Sequence, residues 1–199
     1  MPSPICGVGD LPLHLTRETT ITRLVVLLRG INVGKHNRIA MADLRTLLSD
    51  LGFTEVATLL NSGNAVITSP VDDPATVARR IEGAIEANLG LTIRTMVRDA
   101  DRVAAAVERN PMPAEAERAP KFFHVGFCDP VPTEALARID HGALGPDRFE
   151  LDGDTLYAWF AEGVTNSPLA RALSVRGLGE NITLRNWNTV GKLLAMARR

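Results

Sequence analysis

"EVATLLNSGNAVITS", residues 55–69, sets two strand-like runs on either side of Ser62-Gly63. Glycine tolerates a positive φ, so the pair predicts a two-residue hairpin turn. The flanks of this hairpin decide the architecture. Upstream, "MADLRTLLSDLGF" places Leu44, Leu47, Leu48 and Leu51 at helical spacing, with Gly52 following as a C-terminal cap. Before it, "RLVVLL" (residues 23–28) is a short apolar run that reads as a buried strand. Downstream, Val77, Ile81 and Ile85 form a second helical stripe that closes near Gly90. "LTIRTMV" (91–97) then puts Leu91, Ile93 and Val97 on one strand face. The order is β-α-β-β-α-β, the split βαβ or ferredoxin-like plait.

A short helix over residues 99–109 leads to "NPMPAEAERAP", where three prolines and several charges mark a linker. The pattern then begins again. "KFFHVGF" reads as a strand, and "TEALARI" as a helix capped by its threonine, with Leu136 and Ile139 on one face. "RFELDGDTLYAWF" is a hairpin around Asp152-Gly153, and Ser167-Pro168 opens a helix with serine as cap and proline at its first position. The fold class predicted is α+β, with two similar α+β subdomains and a plait as the first. The division expected is a loosely ordered leader at 1–20, a plait subdomain at 21–110, a linker at 111–120 and a second subdomain with a C-terminal helix at 121–199.

Bulk properties exclude several classes. The 199 residues are 45% hydrophobic and 23% charged, which is enough for a core without a metal or disulfide staple. Lys plus Arg number 22 against 23 Asp plus Glu, so no generic attraction to nucleic acid or membrane is expected. Two cysteines, Cys6 and Cys128, make neither a disulfide framework nor a zinc site, which fits a reducing cytoplasmic setting. The first twenty residues lack the basic start and apolar stretch of a secretion signal, and no apolar run is long enough to span a membrane.

The loop "RGINVGKHN" (29–37) looks at first like a phosphate-gripping loop. A Walker A motif needs four residues between its glycines and a hydroxyl after its lysine. Here three residues separate Gly30 from Gly34, and His36 follows Lys35. It is not a P-loop. One reading leaves a strand-to-helix connection whose glycines take positive φ. The other makes Arg29, Asn32 and Lys35 donors beside a strand end, where ligands sit in α/β sheets.

Two further segments are rich in donors and poor in carboxylates. Asn61, Ser62 and Asn64 surround Gly63, and read either as turn chemistry or as part of a site. In "TLRNWNTVGKLLAM" (183–196), Thr183 or Asn186 suits a helix cap, but Arg185, Asn188, Thr189 and Lys192 exceed what a cap needs. A helix N-terminus beside Arg185 suits an anion. Trp187 reads as a core anchor or a stacking platform. The histidines show no ligand spacing, His124 reads as structural, and no catalytic signature or cofactor motif is present.

Together "RGINVGKHNRIAMADLR", "LLNSGNAVI" and "TLRNWNTVGKLLAM" resemble the bacterial family known as domain of unknown function 1697, over about residues 23–196. The resemblance implies two α+β subdomains, the first plait-like, and no established activity. Arg29, Gly30, Asn32 and Gly34 match its first motif, Asn61 to Asn64 its second, and Thr183, Arg185 to Val190 and Lys192 its third. Where that family has a second glycine after Asn-Val-Gly, this chain has Lys35.

The function expected is binding of a phosphate-bearing or other small anionic ligand, without cofactor or metal, at a cleft where the three motifs meet. Its ligand-binding residues would be Arg29, Asn32, Lys35, Asn61, Asn64, Arg185, Asn186, Asn188 and Lys192. Three alternatives stand beside it. One is nucleic-acid binding through the plait sheet, with Tyr157 and Trp159 as stacking aromatics and a basic C-terminal helix. Another is catalysis by Arg and Lys stabilising developing charge. The last is that the motifs are structural, joining the two halves by buried hydrogen bonds.

Overall fold

The computed structural model describes residues 21–199, residues 35, 72 and 176 apart. The leader expected at 1–20 and the candidate Lys35 lie outside the described residues. The first half runs β1 (Thr22–Leu28), α1 (Met41–Asp50), β2 (Thr54–Leu59), β3 (Asn64–Ser69), α2 (Pro74–Leu89) and β4 (Thr95–Asp99). Its sheet has the order β2-β3-β1-β4 with every neighbouring pair antiparallel. Each crossover helix therefore joins strands that have one other strand between them, the plait arrangement.

Two helices follow, α3 (Ala100–Glu108) and α4 (Pro113–Arg118). The second half is β5 (Phe123–Cys128), α5 (Thr133–Ala137), a 3-10 turn at His141–Leu144, β6 (Arg148–Asp152), β7 (Thr155–Trp159), α6 (Pro168–Leu173), β8 (Ile182–Asn186) and α7 (Trp187–Ala197). Its sheet order, β6-β7-β5-β8, repeats that of the first strand for strand, again antiparallel. The chain is thus two similar α+β subdomains, each followed by a helix that leaves its last strand.

Alternation along the central strands explains the layering. In β1, Leu24, Val26 and Leu28 pack on one side with Leu44, Leu48, Ile81 and Ile85 of α1 and α2. Val25 and Leu27 point the other way, into a middle core with α3 and α7. In β7, Tyr157 and Trp159 enter the same middle core, whereas Leu156 and Ala158 pack outward with Leu169 and Leu173 of α6. The layers are therefore helices, sheet, the α3–α7 pair, sheet, helices.

That layering overturns the stacking surface considered for nucleic acid. Tyr157 is 0% and Trp159 2% exposed, and the Tyr157 hydroxyl donates to the Ala106 carbonyl at 2.8 Å. Both faces of each sheet are covered by helices. Trp187 is a core anchor, packed edge-on against Phe123 with ring centroids 5.5 Å apart.

Other departures are local. The hairpin expected to turn on Ser62-Gly63 closes at the Leu59–Asn64 pair, so its loop has four residues, with Leu60 and Gly63 both at positive φ. The second hairpin turns on Gly153 and Asp154, one residue later than Asp152-Gly153, closed by the Asp152–Thr155 pair. Strand β4 begins at Thr95 rather than Leu91. Thr133 is the first helical residue of α5, behind Pro132, and caps nothing. In the stretch read as a linker, α4 buries Ala116, and Met112 just before it joins the same middle core. Ser167 caps α6 as expected, donating nothing to the helix but accepting from the Ala170 amide.

Candidate functional site

Strand β8 carries the third motif. Alternation turns Arg185 toward the first half, where it is only 9% exposed. One Nη donates to the carbonyls of Leu28 (2.7 Å) and Ser62 (3.0 Å), the other to that of Leu184 (2.8 Å), and Nε donates to the Asn64 side-chain oxygen. All these acceptors are neutral. Burial pushes the guanidinium down to about 10, so it stays charged at neutral pH. A buried cation without a carboxylate is tolerated only where dipoles surround it, and here carbonyls do so.

Asn64 is fully buried and makes both kinds of bond. Its amide donates to the Leu59 carbonyl and the Ser62 hydroxyl, both at 2.9 Å, while its oxygen receives Arg185. Asn32, at φ 56°, ties the first motif to the second. Its amide donates to the carbonyls of Ile39 (2.9 Å) and Asn61 (2.6 Å), and its oxygen accepts the Ile39 amide at 3.0 Å. The Leu28 amide donates to the Gly63 carbonyl at 2.7 Å. The three motifs are thus joined in one hydrogen-bonded junction between the halves. Asn186 caps α7 by accepting the Thr189 amide at 2.9 Å and its hydroxyl at 2.8 Å.

The remaining named residues face water in different places. Arg29 is half-buried and lines a cleft of about 610 Å³ with Arg79, Arg94, Glu82, Glu86 and Glu180, a wall of mixed charge. Asn188 and Lys192 are exposed on α7, one helical turn apart. Asn32 and Asn61 line a second cleft, of about 510 Å³, together with Gly34, Arg38, Ile39 and Met41. None of its described lining residues is acidic.

That second cleft sits against the start of α1. Ala40 occupies the cap position in extended backbone and supplies no side-chain acceptor, as Met112 and Pro132 supply none before the short α4 and α5, whereas Asp73, Asp99, Ser167 and Asn186 cap α2, α3, α6 and α7. The amides of the first turn are therefore left to water or a ligand. Asp43, the one acid in that turn, lines a different groove between α1 and α2. Among the described residues Arg38 reaches only the Gly34 carbonyl, at 3.4 Å. Neither Arg38 nor the missing cap was among the expected site residues. The signal for both was in the quoted segment "NRIAMADLR", where alanine precedes the helix at a position that usually holds Ser, Thr, Asp or Asn.

A second junction between the halves lies around Arg98 of β4. One Nη donates to the Cys128 carbonyl at 2.7 Å and the other to that of Val97 at 2.9 Å, while Nε approaches Asp154 at 3.5 Å. Arg102 pairs with the same carboxylate at 3.2 Å. Cys128 is buried beside them, and its thiol is pushed up to about 12, chiefly by burial and then by the Asp154 charge. Such a thiol is no nucleophile. His124 lies on β5 with its ring edge-on to Phe160, and burial holds its pKa below the usual histidine value. Among the described residues no group of three or more His, Cys, Asp or Glu is placed to hold a metal ion, and no helix is long and apolar enough to cross a membrane.

With this geometry in view, the comparisons are specific about fold. The family model described as "Protein of unknown function (DUF1697)" matches residues 21–157, which takes in the first two motifs. The solved structure of a conserved bacterial protein from Streptococcus pneumoniae superposes with a TM-score of 0.73 at 24% identity, covering 89% of this chain and 99% of that one. At that identity the likeness concerns the fold alone. No curated protein matches the chain.

Proposed function

Because the chain belongs to the DUF1697 family of proteins of unknown function, we propose its role from its own geometry: it binds a small phosphate-bearing or otherwise anionic ligand in the cleft beside the start of α1. The observation that carries this reading is the acid-free lining of that cleft against an uncapped helix N-terminus. Aligned peptide dipoles place roughly half a positive charge at such an end, and its free amides point along the axis toward a ligand. Arg38 adds a guanidinium fork whose present contact is long, and Asn61 adds a carboxamide. In this reading Asn32, Asn64 and Arg185 do not touch the ligand. They hold the two loops that form its walls.

Isothermal titration with inorganic phosphate, pyrophosphate and citrate tests it, read alongside thermal unfolding. Saturation at 100 times Kd adds about 2.7 kcal/mol of stability, roughly 5–10 °C in Tm for a chain of this size. Arg38→Ala is expected to weaken binding at least tenfold while leaving the unliganded Tm unchanged, since Arg38 is exposed. If no anion raises Tm, or if Arg38→Ala binds as the wild type does, the reading is wrong.

A further inference from the structure

The two halves repeat one topology, yet their outer helices differ in length. In the first half α1 and α2 have 10 and 16 residues. Their counterparts α5 and α6 have 5 and 6. Helices this short leave a gap between them on the outer side of the second half. A cavity of about 510 Å³ opens between α5, the turn at His141–Leu144 and α6. Its walls are apolar: Ile139, Leu144, Ala172, Val175 and Leu178. Leu144 and Leu178 are buried and form the floor, whereas Val175 stands 59% exposed at the mouth.

Among the described residues two arginines, Arg138 and Arg171, line the same cavity against one acid, Asp140. The Asp140 carboxylate is engaged, accepting the Gly142 amide at 2.9 Å. Among the described residues Arg138 meets only Glu134, at 3.6 Å, with both side chains mostly in water, a pairing of little strength. Arg171 gives one hydrogen bond to the Asn166 carbonyl at 3.0 Å. Each guanidinium keeps further donors for a ligand. The corresponding groove of the first half, between α1 and α2, is smaller, about 390 Å³, and carries Asp43 and Asp50 with no base among its described residues. The repeat has reversed the sign of its charge.

We propose that this cavity binds a small apolar carboxylic acid, its tail against the aliphatic floor and its carboxylate between Arg138 and Arg171. The volume lies within the range of small-molecule sites, and an apolar body with few placed polar groups is their usual lining. A neutral apolar ligand would leave both guanidiniums without use. A hydrophilic anion would leave Val175, Ile139 and the leucines in water.

The test is isothermal titration of the full chain with octanoate, and with 1-octanol as the uncharged probe. Octanoate is expected to bind more tightly than octanol. The double variant Arg138→Ala, Arg171→Ala, both exposed positions, should weaken octanoate at least tenfold and octanol less than twofold. Ala172→Phe fills the cavity and should abolish both. Excess phosphate and the Arg38→Ala variant should leave octanoate binding unchanged, because that site is a different one. Three results would each overturn the proposal: no binding of octanoate at millimolar concentration, octanol binding as tightly as octanoate, or octanoate binding that survives Ala172→Phe.

Discussion

Arg98 and Arg185 are counterparts in the two halves. Each is the penultimate residue of its strand and stands directly before the Asp or Asn that caps the following helix. Each donates across the junction to the carbonyl of the last residue of the other half's first strand, Arg98 to Cys128 and Arg185 to Leu28, both at 2.7 Å. Each also folds its second Nη back onto the carbonyl before it, Val97 or Leu184. The halves therefore grip one another by the same device in both directions. The devices differ at Nε. Arg98 has the Asp154 carboxylate, at ion-pair distance but without hydrogen-bond geometry, whereas Arg185 has the neutral oxygen of Asn64.

That difference predicts unequal costs of truncation. Arg185→Ala leaves the Leu28 and Ser62 carbonyls and the Asn64 oxygen without a donor in a closed place. An orphaned buried polar group costs about 1–3 kcal/mol, so a total of about 3 kcal/mol or more is expected. Arg98→Ala leaves Asp154 still paired with Arg102 beside an open cleft, and should cost about 1–2 kcal/mol. Urea unfolding of both variants measures this. Arg185→Lys should not rescue, because one ammonium cannot reach in the several directions a guanidinium fork serves.

The double lock shows what could be read from the sequence and what could not. Periodicity was enough for β1, α1 and α2, since apolar residues at strand or helix spacing bury one face wherever the rest of the chain lies. The asparagine and serine caps of α7 and α6 were equally local. Strand β4 is shorter than its apolar pattern suggests because a strand's length is set by its neighbour. β1 ends at Leu28, paired with Thr95, so residues 91–94 have little to pair with although Ile93 is buried. The fate of Arg185 was not legible either: a lone arginine on an alternating strand reads as a donor facing water until the other half brings carbonyls to it. One trace was present, in that Val97-Arg98-Asp99 and Leu184-Arg185-Asn186 repeat an apolar-Arg-Asx pattern.

Glycine is required at position 63 for space as well as for φ. A Cβ built there would lie 2.7 Å from the Leu28 Cβ and 2.8 Å from the Ile31 Cδ1, with φ at 73°. At Gly34, φ 61°, a Cβ would meet nothing within 4 Å. Gly34→Ala should therefore cost only the left-handed backbone term, about 1–2 kcal/mol. Gly63→Ala should cost that and more, because Leu28 is central in its core and cannot withdraw. Chemical unfolding that ranked the two variants equally would contradict the steric argument.

His124 gives the fold a pH dependence. Its ring packs on Phe160, and its Nδ1 lies 3.3 Å from the Phe122 carbonyl. Burial holds its pKa below the ordinary histidine value of about 6.5. The sign follows from which state takes the proton first. Above pH about 6.5 the ring is neutral in both states and stability is full. As pH falls below that value the unfolded chain protonates before the folded one, so stability declines until the folded pKa is reached. Thermal unfolding between pH 7 and 5 should show a steeper loss in the wild type than in His124→Gln. Parallel curves would mean that His124 is not the group responsible.

The last prediction separates the kind of acceptor from its charge. If Arg185 needed only a counter-charge, Asn64→Asp should stabilise, since it gives Arg185 what Arg98 has in Asp154. The geometry argues the reverse. Asn64 donates to the Leu59 carbonyl and the Ser62 hydroxyl while it accepts from Arg185. A carboxylate has no donors, so its second oxygen would be forced against the Leu59 carbonyl in a fully buried place. The gain from pairing a buried charge is offset by its desolvation, which leaves the lost donors to decide. Asn64→Asp is expected to destabilise by about 1–3 kcal/mol. Asp154→Asn, in a partly exposed pair, should cost about 1 kcal/mol or less. Denaturant midpoints at neutral pH decide it, and an Asn64→Asp variant more stable than the wild type would show that the buried junction wants charge rather than a two-way hydrogen-bonding amide.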